Sequence, residues 1–167
     1  SLIFLAFFRG KKILFPEITY SFYSSFAKLA LGKFKTIPLE KDFSINLEKY
    51  NKTAYGIIFP NPNAPTGISI GYEKIKSFIR NHSNKLIIID EAYADFNSFN
   101  CIDLVKKFSN LIIVRTFSKS YSLAGLRIGF CLANKSIIKQ LLKVKNSFNS
   151  YPVDRLSEIA AINAIKD

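Results

Sequence analysis

Histidine occurs once in these 167 residues, cysteine twice, and methionine and tryptophan not at all. Each scarcity removes a kind of chemistry. The one histidine, His82, lies in the polar run NHSN at an expected helix end, where a surface position is the simple reading. A Ser-His-Asp relay and a histidine-rich metal site are therefore poor fits. Cys101 and Cys131 sit in unrelated contexts without paired spacing, so neither a disulfide framework nor a zinc site is expected, and a reducing, cytoplasmic setting is the default. Long apolar runs are missing too. The stretch SLIFLAFF reaches only eight residues before Arg9. That falls short of the ~20 a membrane span needs, and no basic leader precedes it, so it reads as the middle of a buried helix and no membrane partner is expected. No repeat or low-complexity segment stands out. A chain that opens inside an apolar helix and lacks methionine is expected to be an internal piece of something longer.

What is present is a composition that can bury a core: 49% hydrophobic residues, 22% charged, 16 Phe and 8 Tyr, enough for one folded domain. The net charge of +12 raises the question of a polyanionic partner. The positive residues are scattered, however. In KSIIKQLLKVK (135–145) they alternate with apolar residues at helical spacing, the pattern of a solvated outer face. No basic-aromatic motif of the nucleic-acid modules accompanies them, so nucleic acid is not expected as a partner.

Short runs rich in Ile, Val and Phe recur along the chain: KILFP, KTIPL, AYGIIF, KLIIID, LIIVRTF and RIGFCLA read as strands. Helical stretches fall at 20–31, 46–51, 71–81, 101–108, 135–147 and 153–166. This alternation predicts an α/β domain, a three-layer sandwich around a mostly parallel mixed sheet. KLIIID and LIIVRTF are apolar without alternation, as strands covered on both faces should be.

Ligands of such sheets bind beyond the carboxyl ends of the strands, and three strand ends carry unusual residues. PNPNAPTG (60–67) is a stiff turn offering Asn61, Asn63 and Thr66; taken alone it is an ordinary strand-to-helix connection. Asp90, after four apolar residues, should hold its carboxylate near the buried sheet edge, where an unpaired charge is costly and a cationic partner is needed. A protonated ring nitrogen of a cofactor would serve; a helix cap or internal salt bridge would serve as well. Tyr93, three residues on, reads equally as a ligand contact or a packed ring. Lys119 follows an apolar strand, where desolvation would favour the nucleophilic free amine able to form an imine. Ser118, Ser120 and Arg127 beside it suit a phosphate group. On its own, Lys119 reads as an exposed lysine in a serine-rich loop.

Together PNPNAPTG, DEAYADF and RTFSKSYSLAGLRIGF resemble the signature of the fold-type I aminotransferases that use pyridoxal 5'-phosphate, and among them the histidinol-phosphate aminotransferase family most closely. LFPEITYSFY (14–23), PLEKDFSIN (38–46) and SYPVDRLSEIAA extend the resemblance over nearly the whole chain. It implies Lys119 as the Schiff-base lysine, Asp90 as the partner of the pyridine nitrogen and Tyr93 as the donor to the phenolic oxygen. Ser118 and Arg127 would be phosphate ligands, and Tyr20 the aromatic residue stacked on the pyridine face. Ala64 stands where the family usually has Asn before Pro-Thr-Gly, which leaves Asn63 as the candidate for the phenolic oxygen. The implied reaction moves an amino group from histidinol phosphate to 2-oxoglutarate, giving glutamate, in histidine biosynthesis, within a homodimer. On this reading residues 1–167 are part of the cofactor-binding large domain, without the N-terminal arm and C-terminal small domain, and would bind cofactor weakly and not turn over alone. The alternatives are another enzyme of the same fold, such as an aromatic aminotransferase or a threonine-phosphate decarboxylase, and a non-catalytic scaffold or polyanion-binding domain.

Overall fold

The runs LIIID and LIIVRT are dominated by Ile, Leu and Val, branched side chains that pack well on both faces of a pleated sheet. In the computed structural model, which describes residues 1–50, 53–149 and 151–166, they lie side by side inside a single sheet, neither at its edge. Its strands are β1 (Lys12–Pro16), β2 (Lys33–Ile37), β3 (Gly56–Pro60), β4 (Leu86–Asp90), β5 (Leu111–Thr116) and β6 (Gly129–Ala133). They are ordered β2-β1-β3-β4-β5-β6. All pairings are parallel except that of β6, which runs antiparallel to β5. This is the mixed, mostly parallel α/β sheet expected from the sequence.

Helices cover both faces. On one, α1 (Leu2–Phe7), α2 (Phe22–Leu29) and α4 (Lys135–Phe148) bring Phe4, Ala27, Ile137 and Leu141 into a cluster with Ile13, Phe15, Ile58, Ile88 and Ile112. On the other, α3 (Tyr72–Asn81) sets Ile75, Phe78 and Ile79 with Leu14, Ile57, Phe59, Ile87, Ile89 and Ile113. Ile87, Ile88 and Ile89 are fully buried, each contributing about 1.5–3 kcal/mol of transfer free energy. Gly56 starts β3 because nothing larger fits: a Cβ there would lie 2.5 Å from the Phe8 ring and 2.9 Å from the Leu86 carbonyl oxygen. α5 (Arg155–Lys166) packs Ala161 with Phe117 and Ile128, near the start and end of the loop after β5. No helix among the described residues is long and apolar enough to cross a membrane.

Some local expectations need correction. The second strand is Lys33–Ile37 rather than KTIPL, because Pro38 has no amide hydrogen for the ladder. The expected helices at 46–51 and 101–108 are short 3-10 turns, Leu47–Lys49 and Ile102–Lys106; so few residues cannot offset the cost of nucleating an α-helix. Residue 51 lies outside the described residues. His82 is half-buried rather than on open surface, its ring 4.2 Å from that of Phe78 and its Nδ1 2.9 Å from the Phe78 carbonyl.

Candidate active site

Because β1, β3, β4 and β5 run the same way, the loops that follow them meet at one sheet edge. Asp90 and Glu91 straddle that edge. The pleat sends Asp90 to the face of α2, as it sends Ile88, and Glu91 to the face of α3, as it sends Ile89.

The Asp90 carboxylate accepts the Tyr23 hydroxyl on Oδ2 at 2.6 Å and the Ala92 amide on Oδ1 at 3.1 Å. Burial pushes its pKa above the ordinary carboxylate value, although these two donors act in the opposite sense. The Tyr23 phenol is itself raised well above its usual value by burial and by the neighbouring carboxylate, so it remains a donor. No cationic side chain among the described residues pairs with Asp90.

Glu91 is fully satisfied by protein. Its Oε2 accepts Arg115 Nε at 3.0 Å and its Oε1 the Cys101 amide at 2.5 Å. Arg115 Nη1 reaches Asp95 at 2.6 Å, and the other oxygen of Asp95 accepts the Ser120 hydroxyl. This brace, buried at Glu91 and Arg115 and open at Asp95 and Ser120, ties the loop after β4, which carries Tyr93, to the loop after β5, which carries Lys119. Ser120, a phosphate candidate by sequence, is thereby engaged within the protein. The brace went unread in the sequence, although an arginine inside the apolar run LIIVRTF was a signal that a carboxylate must meet it.

Lys119 Nζ lies 5.1 Å from the centroid of the Tyr93 ring, so the loops after β4 and β5 bring these two residues together. The desolvation expected of Lys119 is not found, for its side chain is exposed. Phe117 takes the last buried position, after which the chain turns, the Ser122 amide meeting the Lys119 carbonyl at 3.0 Å. Ser118 is half-buried on the same loop. Arg127 is exposed at the end of a 3-10 turn in the left-handed conformation (φ 55°, ψ 36°), with Nη1 2.9 Å from the Ala124 carbonyl. Among the described residues no hydrogen bond joins Ser118 or Arg127 to Asp90 or Tyr93.

The turn after β3 is fixed by its asparagines. Asn61 accepts the Ile70 amide at 2.7 Å. Asn63, 1% exposed, accepts the Thr19 hydroxyl at 3.0 Å and donates to the Ile18 carbonyl at 3.0 Å and to Thr66 Oγ1 at 3.2 Å. Its amide is fully engaged, holding Thr66 of its own turn and, through Ile18 and Thr19, the loop leading to Tyr20. Tyr20 is 47% exposed, edge-on to Tyr23 at 5.6 Å and stacked with Phe22 at 5.7 Å. A cavity of about 300 Å³ opens between Pro62, Asn63, Pro65, Tyr93 and Phe96. A larger groove, lined by Glu40, Tyr50, Phe78 and His82, lies against α3, and none of the strand-end residues lines it.

Fold and site together define a parallel α/β domain that presents a lysine, a tyrosine and a desolvated carboxylate at the carboxyl ends of neighbouring strands. Residues 1–167 match the family described as aminotransferase class I and II, and the chain belongs to that family. It is 50% identical over 165 residues, 98% of its length, to histidinol-phosphate aminotransferase 1 of Oceanobacillus iheyensis, covering 47% of that protein. Among solved structures, the histidinol-phosphate aminotransferase of Clostridium acetobutylicum superposes with a TM-score of 0.89 at 28% identity, over 99% of this chain and 51% of that one. The Sinorhizobium meliloti histidinol-phosphate aminotransferase, solved in complex with pyridoxal-5'-phosphate, gives 0.85 at 25% identity, over 99% and 46%. The chain thus spans about half the length of the curated relatives it matches.

Proposed function

We propose that these residues form the cofactor-binding large domain of a pyridoxal-phosphate-dependent aminotransferase that passes the amino group of histidinol phosphate to 2-oxoglutarate in histidine biosynthesis. The observation that carries the reading is the desolvated, cation-free Asp90 on the strand beside the one that leads to Lys119. A protonated pyridine nitrogen satisfies such a carboxylate, and an aldehyde suits the amine. The substrate follows from the relatives, which carry that name at 44–50% identity. A cytoplasmic homodimer is part of the same proposal.

When bound, pyridoxal phosphate supplies a carbonyl carbon that accepts the substrate amine and a ring that withdraws electrons. The chain's residues do the rest. Asp90 would hold the proton on the ring nitrogen, and the Tyr93 hydroxyl would donate to the phenolic oxygen. Tyr20 offers its exposed ring to the pyridine face, an offset contact of about 1 kcal/mol. Ser118 and Arg127 would hold the phosphate, Arg127 by a planar, fixed charge. Lys119 Nζ, as a free amine, would take the proton from the substrate carbon and deliver it to the cofactor's carbonyl carbon, as a general base and then acid. Asn63 serves by fixing the loop of Tyr20; for it to reach the phenolic oxygen it must exchange its Ile18 or Thr66 partner.

The test is glutamate formation from 2-oxoglutarate by the purified protein, expressed with the sequence that flanks these residues in its gene. Histidinol phosphate should exceed aromatic amino acids as donor. Activity on aromatic donors with none on histidinol phosphate would sink the substrate assignment and leave the chemistry standing.

A further inference from the structure

Tyr23 ends the run LFPEITYSFY, in which only Tyr20 carries an implied role, yet it makes the only side-chain hydrogen bond to Asp90 among the described residues. It is 2% exposed, in the first turn of α2, with its ring edge-on to Phe15 at 5.8 Å and to Tyr20 at 5.6 Å. One side chain thus touches both Asp90 and Tyr20. Each Asp90 oxygen holds one protein donor, the phenol on Oδ2 and the Ala92 amide on Oδ1, which fixes the plane of the carboxylate.

The surroundings leave this job to Tyr23. The strand positions flanking Asp90 are Pro60 and Val114, both uncharged. Glu91 and Arg115, the nearest charges along the strands, pair with each other on the opposite face. The residues that α1 and α4 bury on the face of Asp90 are apolar: Phe4, Phe7, Ile137 and Leu141. Lys28 of α2 is exposed, the Lys119 amine lies over Tyr93, and Tyr20 meets Tyr23 rather than Asp90.

We propose that Tyr23 is a positioning residue: its hydroxyl fixes the Asp90 carboxylate toward the cofactor's ring nitrogen, and its ring sets the ring of Tyr20. This rests on the role given to Asp90 above. A hydrogen bond to a charged acceptor favours the charged form. Without it, burial acts on Asp90 opposed only by the Ala92 amide, and a protonated Asp90 does not complement a cationic ring.

The test is the affinity for pyridoxal 5'-phosphate, measured by absorbance titration from pH 5 to pH 9 in the purified protein with its flanking sequence. Tyr23→Phe keeps the ring and its packing and removes the hydroxyl. It should move the acid limb, where affinity falls, upward by about one pH unit, while affinity at the alkaline end stays within about twofold of the parent. Asp90→Asn should bind weakly without that limb, and adding Tyr23→Phe should change it no further. A Tyr23→Phe profile that is uniformly weaker, with the limb unmoved, would reduce Tyr23 to packing and overturn the inference. If Tyr23→Phe superimposes on the parent while Asp90→Asn is weak, the inference fails and the cofactor reading survives. An Asp90→Asn variant that binds like the parent overturns both.

Discussion

Asp90 and Glu91 are neighbours on one strand end, both carboxylates and both desolvated, yet they lead different lives. Burial raises the pKa of each. Glu91 is repaid by Arg115 and by a backbone amide, and Arg115 reaches on to Asp95. Asp90 receives a phenol and an amide, and no cation. One side of the sheet edge has closed its electrostatics within the protein. The other holds its carboxylate with two uncharged donors. What separates the two carboxylates is that a counter-charge is built into the fold for Glu91 and not for Asp90.

The comparison breaks most heavily on the brace. Glu91→Ala leaves Arg115 with Asp95 as its one carboxylate and should cost about 1–3 kcal/mol in urea unfolding. Asp90→Asn should do the reverse. Its carboxyl has a pKa above the ordinary value, so the folded state binds the proton more tightly than the unfolded chain. The penalty for the ionised form is therefore absent below the ordinary carboxylate range, near pH 4. It grows as pH rises and is complete above the raised pKa. The cofactor-free Asn variant should accordingly be more stable than the parent at pH 8 and gain nothing near pH 3, checked by unfolding at several pH values. Arg127→Gly relieves a left-handed backbone and should gain about 0.5–1 kcal/mol while losing affinity for inorganic phosphate and for the cofactor, a split that calorimetry resolves. Lys119→Ala, at an exposed position, should change stability by less than about 0.5 kcal/mol while abolishing transamination.

The central strands were legible because their chemistry is unambiguous. KILFP became β1 residue for residue, and KLIIID and LIIVRTF gave β4 and β5 to within a residue at either end. Turns decided by a few residues were not, as the 3-10 segments at 47–49 and 102–106 show. Asp90, Tyr93 and Lys119 could be picked out as strand-end residues, but local context favoured a bland reading of Lys119, and it was the resemblance that assigned the roles. Contacts set by register could not be read at all. Tyr23 and Asp90 are 67 positions apart, and Arg115 finds Glu91 and Asp95 only once β4 and β5 lie side by side. The exposure of Lys119 was missed for a related reason: an apolar strand predicts burial to its last paired residue, and the turn beyond Phe117 carries the amine out.

The chain has 24 lysines and arginines, so reactivity with an aldehyde is by itself uninformative, and the position of attachment is what matters. Borohydride reduction in the presence of pyridoxal 5'-phosphate, followed by peptide mass mapping, fixes the cofactor to the amine it has joined. The account predicts one dominant adduct, at Lys119, absent from Lys119→Ala. Labelling spread over surface lysines, or a dominant adduct elsewhere that survives in Lys119→Ala, would contradict it.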